Sequence, residues 1–197
     1  MQNHKNLPYE IKELLNSRRR QEIEPASDAL TRAAVLIPLF REDDEYKVLL
    51  TKRTNQVETH KGQISFPGGA VEDDDGSYQD TALREADEEI GLQRKDVTIL
   101  GRIDDALTLV SQFIIYPFVG LIPHPYDFEI SHEEVDRIIS VPLNVFFVDH
   151  PPVKKDTIEI DGITYQSPNW EYGDDIIWGA TARIMDNFVN IIAEKIA

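Results

Sequence analysis

The sequence predicts an α+β fold or an α/β/α sandwich, strands with helices mixed among them. Two observations lead there. Short apolar runs bounded by turn residues recur at 32–40, 46–53, 97–103 and 113–122 and read as strands. Segments with apolar residues at helical spacing stand before, between and after them. Strands that dominate, with two or three helices mixed among them, give an α+β or α/β/α sandwich. At 197 residues the chain suits one domain, taken as 29–197, with a helix and linker over 1–28.

Taken in order, Leu7, Ile11, Leu14 and Leu15 predict a helix within 7–24, ended by Pro25, with the linker EPASDAL after it. The Arg18–Arg20 run reads as a solvated helix end, with an anion site as the alternative. The runs 32–40 and 46–53 flank the acidic turn REDDE and form a strand pair. The strand over 113–122 contains Pro117, which predicts an edge or a bulge. HPYDFEISHEEVDR reads as a loop, and ISVPLNVFF as a strand or short helix. Alternation about Asp161-Gly162 predicts a two-residue hairpin over 156–166. Ile184, Phe188, Ile191 and Ile192 share one face of a closing helix.

The apolar fraction of 41% and charged fraction of 28% are ordinary for a globular chain. No apolar run approaches the ~18 residues of a membrane span, and the polar opening has no signal-peptide pattern. Cytoplasm is therefore the expected compartment. The absence of cysteine excludes disulfides and thiolate metal sites. A net charge of −16 argues against a nucleic acid or a membrane surface as partner. An acidic chain still binds a small polyanion where metal ions and a few placed cations bridge the repulsion. A homodimer is left open.

The chemistry concentrates between His60 and Leu92. Glu85, Glu88 and Glu89 stand at i, i+3 and i+4, on one face of a helix, where like charges repel. Ala82, Leu83, Ala86 and Ile90 form its apolar stripe, and Gly91 ends it. Read blandly, the glutamates are a solvated acidic face. Three features favour a divalent cation such as Mg²⁺ instead. The acids lie late in the helix, where the macrodipole disfavours them. Gly68-Gly69 lets backbone approach a phosphate or a metal shell closely. Arg84 stands where it can orient a carboxylate.

Gly69, Asp75 and the run Arg84-Glu85-Ala86-Asp87-Glu88-Glu89-Ile90-Gly91-Leu92 resemble the Nudix box, G-x5-E-x7-R-E-U-x-E-E-x-G-U with U aliphatic. Asp75 stands where the pattern has Glu, and eight residues rather than seven separate it from Arg84. The stretch 49–69 resembles the signature of coenzyme A pyrophosphatases, through Leu50, Thr51, Arg53, His60, Gly62, Gln63, Phe66, Pro67, Gly68 and Gly69. That group also carries an acid and a one-residue-longer loop before T-A-L-R-E. Later blocks, PFVG, EV with VPL, and WGATARI, are similar too. Glu58 departs, standing where the signature often has Arg.

The resemblance implies an α/β/α Nudix sandwich with the box as loop–helix–loop. It also implies a Mg²⁺- or Mn²⁺-dependent hydrolase of nucleoside diphosphates linked to another moiety. Glu85, Glu88 and Glu89 would be the metal ligands, with Arg84 as their orienter. The general base would be a box glutamate or a carboxylate after the 113–122 strand, Glu134 first and Glu133 second. Arg53, His60, Gly68 and Gly69 are the candidate substrate contacts, with a structural loop role as the alternative for His60. Phe66 and Pro67 read as packing and turn residues. Tyr116 and Trp178 read as core or interface aromatics, with adenine stacking as the alternative. Coenzyme A is the substrate this implies. ADP-ribose, NADH or a dinucleoside polyphosphate is the alternative, and a nucleotide-sensing domain without catalysis is the third reading.

Overall fold

A computed structural model of the chain describes residues 6–24, 30–54, 62–108, 112–147, 154–160 and 163–196, leaving aside the side chains of 154–160, 163–167 and 194–196. His60, Glu58, the linker residues 25–29 with the expected domain boundary, and the Asp161-Gly162 turn lie outside the described residues. In chain order the elements are α1 (Leu7–Ser17), β1 (Thr31–Glu42), β2 (Glu45–Arg53), β3 (Ile64–Ser65), β4 (Gly68–Ala70) and α2 (Tyr78–Ile90). They continue with β5 (Thr98–Arg102), β6 (Ala106–Leu107), β7 (Phe113–Leu121), β8 (Val135–Pro142), β9 (Lys154–Ile160), β10 (Ile163–Tyr172), β11 (Asp175–Ile177) and α3 (Gly179–Ile196).

The main sheet runs β3-β2-β1-β7-β5, with β8 on β2, β4 on β1 and β6 on β7. It is mixed because β1 and β7 are parallel, from Thr31 opposite Phe113 to Leu39 opposite Leu121. The β1–β2 hairpin closes on Asp43 and Asp44, both left-handed (φ 48° and 65°), the conformation a two-residue hairpin turn demands. A smaller antiparallel sheet joins β9, β10 and β11. Ile160 pairs with Ile163 there, as a two-residue hairpin turn requires.

Alternation along β1 divides the core. Ala34, Leu36 and Phe40 face α2, packing with Ala82, Leu83, Ala86 and Ile90. Ala33, Ile37 and Leu39 face the other way, with Leu7, Ile11 and Leu15 of α1 and Ile184, Met185, Phe188 and Ile192 of α3. A period of two on a strand forces this split, and it makes the sheet the middle layer of an α/β/α sandwich. Phe66 is buried in the core, the packing role expected of it. Among the described residues no helix is long and apolar enough to cross a membrane.

The structure departs from the sequence expectations at four points. The first helix stops at Ser17, short of Glu24. Residues beyond it find better partners across the β5–β6 connection. Arg18 forks onto Asp104 (2.7 and 2.8 Å), and the Gln21 N–H donates to the same carboxylate (2.7 Å). The Ile23 N–H donates to Asp105 (3.0 Å). Residues 18–24 are thus a strap rather than helix. Arg18 is not a solvated helix end, and Arg20 pairs with Glu22.

Pro117, expected at an edge or bulge, lies in an interior strand between β1 and the β5–β6 side. Its carbonyl accepts from the Ile103 N–H (3.1 Å), so its missing N–H falls where β5 gives way to β6 and no ladder partner is needed. Of the two aromatics read as core or interface residues, Trp178 is exposed and so stands outside the core, whereas Tyr116 is buried and stacks on Tyr78 at 3.8 Å between ring centroids.

Candidate active site

Helix α2 carries the acidic cluster, and both of its ends are fixed by local chemistry. Ser77 caps it, its hydroxyl accepting from the Asp80 N–H (3.2 Å). Gly91 ends it in the left-handed conformation (φ 67°), and Leu92 N–H donates back to the Ala86 carbonyl (3.2 Å). A Cβ on Gly91 would stand 2.8 Å from that of Glu129, so glycine also lets the loop before β8 approach the helix. Ser131 N–H then donates to the Glu89 carbonyl (2.9 Å), which ties that loop to the acidic turn of α2.

Arg84 organises the exposed side of the cluster. It donates Nε to Asp75 Oδ1 (3.0 Å) and Nη2 to Asp75 Oδ2 (3.1 Å), a bidentate fork. Nη1 donates to Glu85 Oε1 (3.0 Å) and Glu88 Oε2 (2.9 Å), and Nη2 also reaches the Ala70 carbonyl (3.1 Å). Chiefly through Asp75, these bonds raise the Arg84 pKa above its already high value. The same fork, helped by the Glu72 N–H and the Thr81 hydroxyl, holds the Asp75 carboxyl down at about 2. Arg84 is therefore a fixed cation at any working pH.

Two of the three glutamates are held out of water. Glu89 is 2% exposed, and burial pushes its carboxyl up to about 8, against the pull of Arg53 and the Gly68 N–H. Burial also raises Glu85, against Arg84. Gly69 makes room for Glu85, since a Cβ there would stand 2.4 Å from Glu85 Oε1. Glu88 is exposed and is held by Arg84.

Across from α2, Arg53 at the end of β2 extends Nη1 to 3.7 Å from Glu89 Oε1 and Nη2 to 3.9 Å from Glu134 Oε2. Glu134 is half exposed, and its charge acts to raise both Glu85 and Glu89. The structure therefore brings Arg53, Glu85, Glu89 and Glu134 together, with Arg84 and Glu88 on the outer rim.

This donor set fits a divalent cation. Glu89 Oε2 is buried without a hydrogen-bond partner among the described residues, beside a second desolvated carboxylate. Two neighbouring carboxylates, one of them with a bare buried oxygen, are a place where a hard cation would favour the ionised form. Among the described residues no group of three His, Asp or Glu side chains is placed to hold a metal ion by itself. Mg²⁺ does not require one, because waters and substrate phosphates complete its shell. Glu85, Glu88 and Glu89 are the residues that would hold it.

Of the remaining sequence candidates, Gly68 and Gly69 adjoin the carboxylates, and His60 lies outside the described residues. Sequence reasoning left Asp75 without a role and did not single out Thr54, whose N–H and hydroxyl hold the Glu134 and Glu133 carbonyls. For Asp75 a signal existed, an acid at the box position with Thr81 and Arg84 downstream. Nothing near Thr54 in the sequence announces its partners.

A family model described as the NUDIX domain matches residues 30–158. The uncharacterized Nudix hydrolase NudL of Yersinia pestis is 37% identical over 154 residues, 78% of this chain and 76% of that protein. The NudL of Yersinia pseudotuberculosis matches to the same extent. Among solved structures, the MutT/nudix family protein from Enterococcus faecalis superposes with a TM-score of 0.59, covering 88% of this chain and 66% of that one. At 14% identity that likeness speaks for the fold alone.

Proposed function

The chain belongs to the Nudix family as a Nudix hydrolase, and on that premise we propose that it cleaves the pyrophosphate bond of coenzyme A or its derivatives. The products are then 3′,5′-ADP and 4′-phosphopantetheine or its acylated form. One observation carries the reading. The stretch 49–69, which resembles the coenzyme A pyrophosphatase signature, abuts the carboxylates at both ends, Arg53 beside Glu89 and Gly69 beside Glu85. The segment that resembles a substrate signature and the acidic helix thus belong to one site.

A bound Mg²⁺ or Mn²⁺ supplies charge neutralisation of the diphosphate and lowers the pKa of water there. The chain's own residues do the rest. Arg84 fixes Glu85 and Glu88 in place. Arg53, whose Nε is buried without a partner among the described residues, offers its guanidinium to a phosphate oxygen. Glu134 takes the proton of the attacking water as the P–O–P bridge breaks and the leaving phosphate departs.

The test is product release. Purified protein with Mg²⁺ or Mn²⁺ should liberate phosphopantetheine from coenzyme A, and Glu89→Gln should abolish it. A folded, metal-binding protein that leaves coenzyme A intact overturns the substrate. Glu58 favours a second reading, since the signature often has Arg there. That reading is a pyrophosphatase for ADP-ribose, NADH or a dinucleoside polyphosphate, and a higher kcat/KM for ADP-ribose than for coenzyme A would select it.

A further inference from the structure

Glu134 lies on a loop, is half exposed, and among the described residues has one ion pair, the long contact to Arg53 at 3.9 Å. A contact of that length at an exposed carboxylate does not fix a side chain. What places its Cα is the backbone beneath, and that backbone is hydrogen-bonded on both sides. The Glu134 N–H donates to the Ser131 carbonyl (3.0 Å), as does the Val135 N–H (2.8 Å). Ser131 N–H is in turn held by the Glu89 carbonyl (2.9 Å). On the other side Thr54 donates twice, its N–H to the Glu134 carbonyl (2.9 Å) and its hydroxyl to the Glu133 carbonyl (3.1 Å).

The register explains why Thr54 is needed. Along the β2–β8 ladder Lys52 faces Arg137, but Arg53 faces Val135, so Asp136 is an extra residue on β8. A bulge leaves a residue unpaired and re-aims the strand. At this bulge the regular ladder ends, and its work passes to Thr54. The Thr54 N–H continues the ladder by one bond, and the hydroxyl satisfies a carbonyl that the ladder no longer reaches. Thr54 is 8% exposed, so water does not readily take over that bond.

We infer that Thr54 is a positioning residue that presents Glu134 to the carboxylate cluster. Its backbone and hydroxyl hold two consecutive carbonyls on β8's approach, so the Glu134 side chain leaves the start of β8 toward Arg53. The inference rests on the reading of Glu134 as the general base. It adds the element that makes a loop carboxylate precise enough for that work, since small misplacements of catalytic groups are expensive in rate.

The experiment is a cycle of Thr54→Val, Thr54→Ser and Glu134→Gln in the full chain, assayed with Mn²⁺ on both coenzyme A and ADP-ribose. Amide exchange is followed on the metal-free protein. Thr54→Val keeps the shape and the backbone donor and removes the hydroxyl. It should lower kcat by about tenfold with KM nearly unchanged, while Glu134→Gln lowers kcat by about a hundredfold or more. Thr54→Ser should recover most of the loss. In the Glu134→Gln background Thr54→Val should cost nothing further, because the group it positions is already disabled. The amides of Ser131, Glu134 and Val135 should exchange faster in Thr54→Val, with α2 unchanged.

An equal Thr54→Val loss in both backgrounds overturns the positioning role and leaves Glu134 as the base. A Glu134→Gln enzyme at the wild-type rate removes the base assignment and the inference with it. Unchanged exchange of the 131–135 amides also overturns the inference, whatever substrate is cleaved.

Discussion

Arg84 grips Asp75 through two parallel hydrogen bonds, Nε to Oδ1 at 3.0 Å and Nη2 to Oδ2 at 3.1 Å, and from that anchor reaches Glu85 and Glu88 with Nη1. The shorter acid with its longer loop, a departure from the general box pattern, thus still delivers a carboxylate to Arg84. Asp75→Asn should loosen Arg84 and with it Glu85. The folded pKa of Asp75 is depressed to about 2 from 3.8, so its contribution is complete above pH 3.8 and disappears as pH falls through about 2. Urea unfolding at pH 7 should show a loss of about 2 kcal/mol for Asp75→Asn, and the gap to wild type should narrow below pH 4. A gap independent of pH would disprove the charge origin.

Gly69→Ala tests the room made for Glu85. The added methyl meets the Glu85 carboxyl, the end of a flexible side chain, rather than backbone. The chain can therefore yield by swinging Glu85 aside, and stability should fall by no more than about 1 kcal/mol. Hydrolysis should fall far more, on the order of a hundredfold, because the displaced carboxylate is one of the candidate metal ligands. Calorimetry beside a steady-state assay separates the two. A large drop in Tm with normal turnover would contradict the arrangement.

Much of this was legible from the sequence because it is local. The 3.6-residue period placed Glu85, Glu88 and Glu89 on one face of α2, Gly91 stopped the helix, and alternation about 161–162 gave the β9–β10 pairing. Other features depend on residues far apart in sequence. Arg53, Glu89 and Glu134 meet only through the register of β2 on β8 and its shift at Arg53, which no window of local sequence contains. The strap over 18–24 is not legible for the same reason, since Arg18 is bonded to Asp104, far along the chain. Proline in a strand points to an edge or a bulge by a general rule, but the gap between β5 and β6 that accommodates Pro117 is a property of the neighbouring strands.

Asp104 is the keystone of the strap. Its carboxylate accepts from Arg18, from the Gln21 N–H and from Asn187 Nδ2 (3.1 Å) on α3. Asp104→Ala leaves the largely buried Arg18 guanidinium without its counter-charge and should cost about 3 kcal/mol. Removing the arginine as well, in Arg18→Met with Asp104→Leu, should return much of that loss. These residues take no part in the α2 cluster, so kcat should be unchanged under conditions where the variants remain folded. A single-variant loss that the double variant fails to reduce would show that the pair is not the cause.

Glu89→Gln separates catalytic need from structural burden. Burial raises the folded pKa of Glu89 to about 8, above its 4.5 reference. Between those values the metal-free folded state binds more protons than the unfolded state, so stability falls as pH rises from about 4.5 toward 8. Glutamine keeps the shape without the charge. In chelator-treated protein Glu89→Gln should therefore be more stable than wild type at pH 7, by roughly 2 kcal/mol, and the advantage should vanish near pH 4.5. Added Mn²⁺ should reverse the order, raising the Tm of wild type and hardly moving that of the variant, because the ion offsets the buried charge only where the charge exists. Equal stabilisation of both proteins by Mn²⁺ would exclude Glu89 from the metal site, and a variant less stable than metal-free wild type at pH 7 would show that the buried carboxylate is compensated within the protein itself.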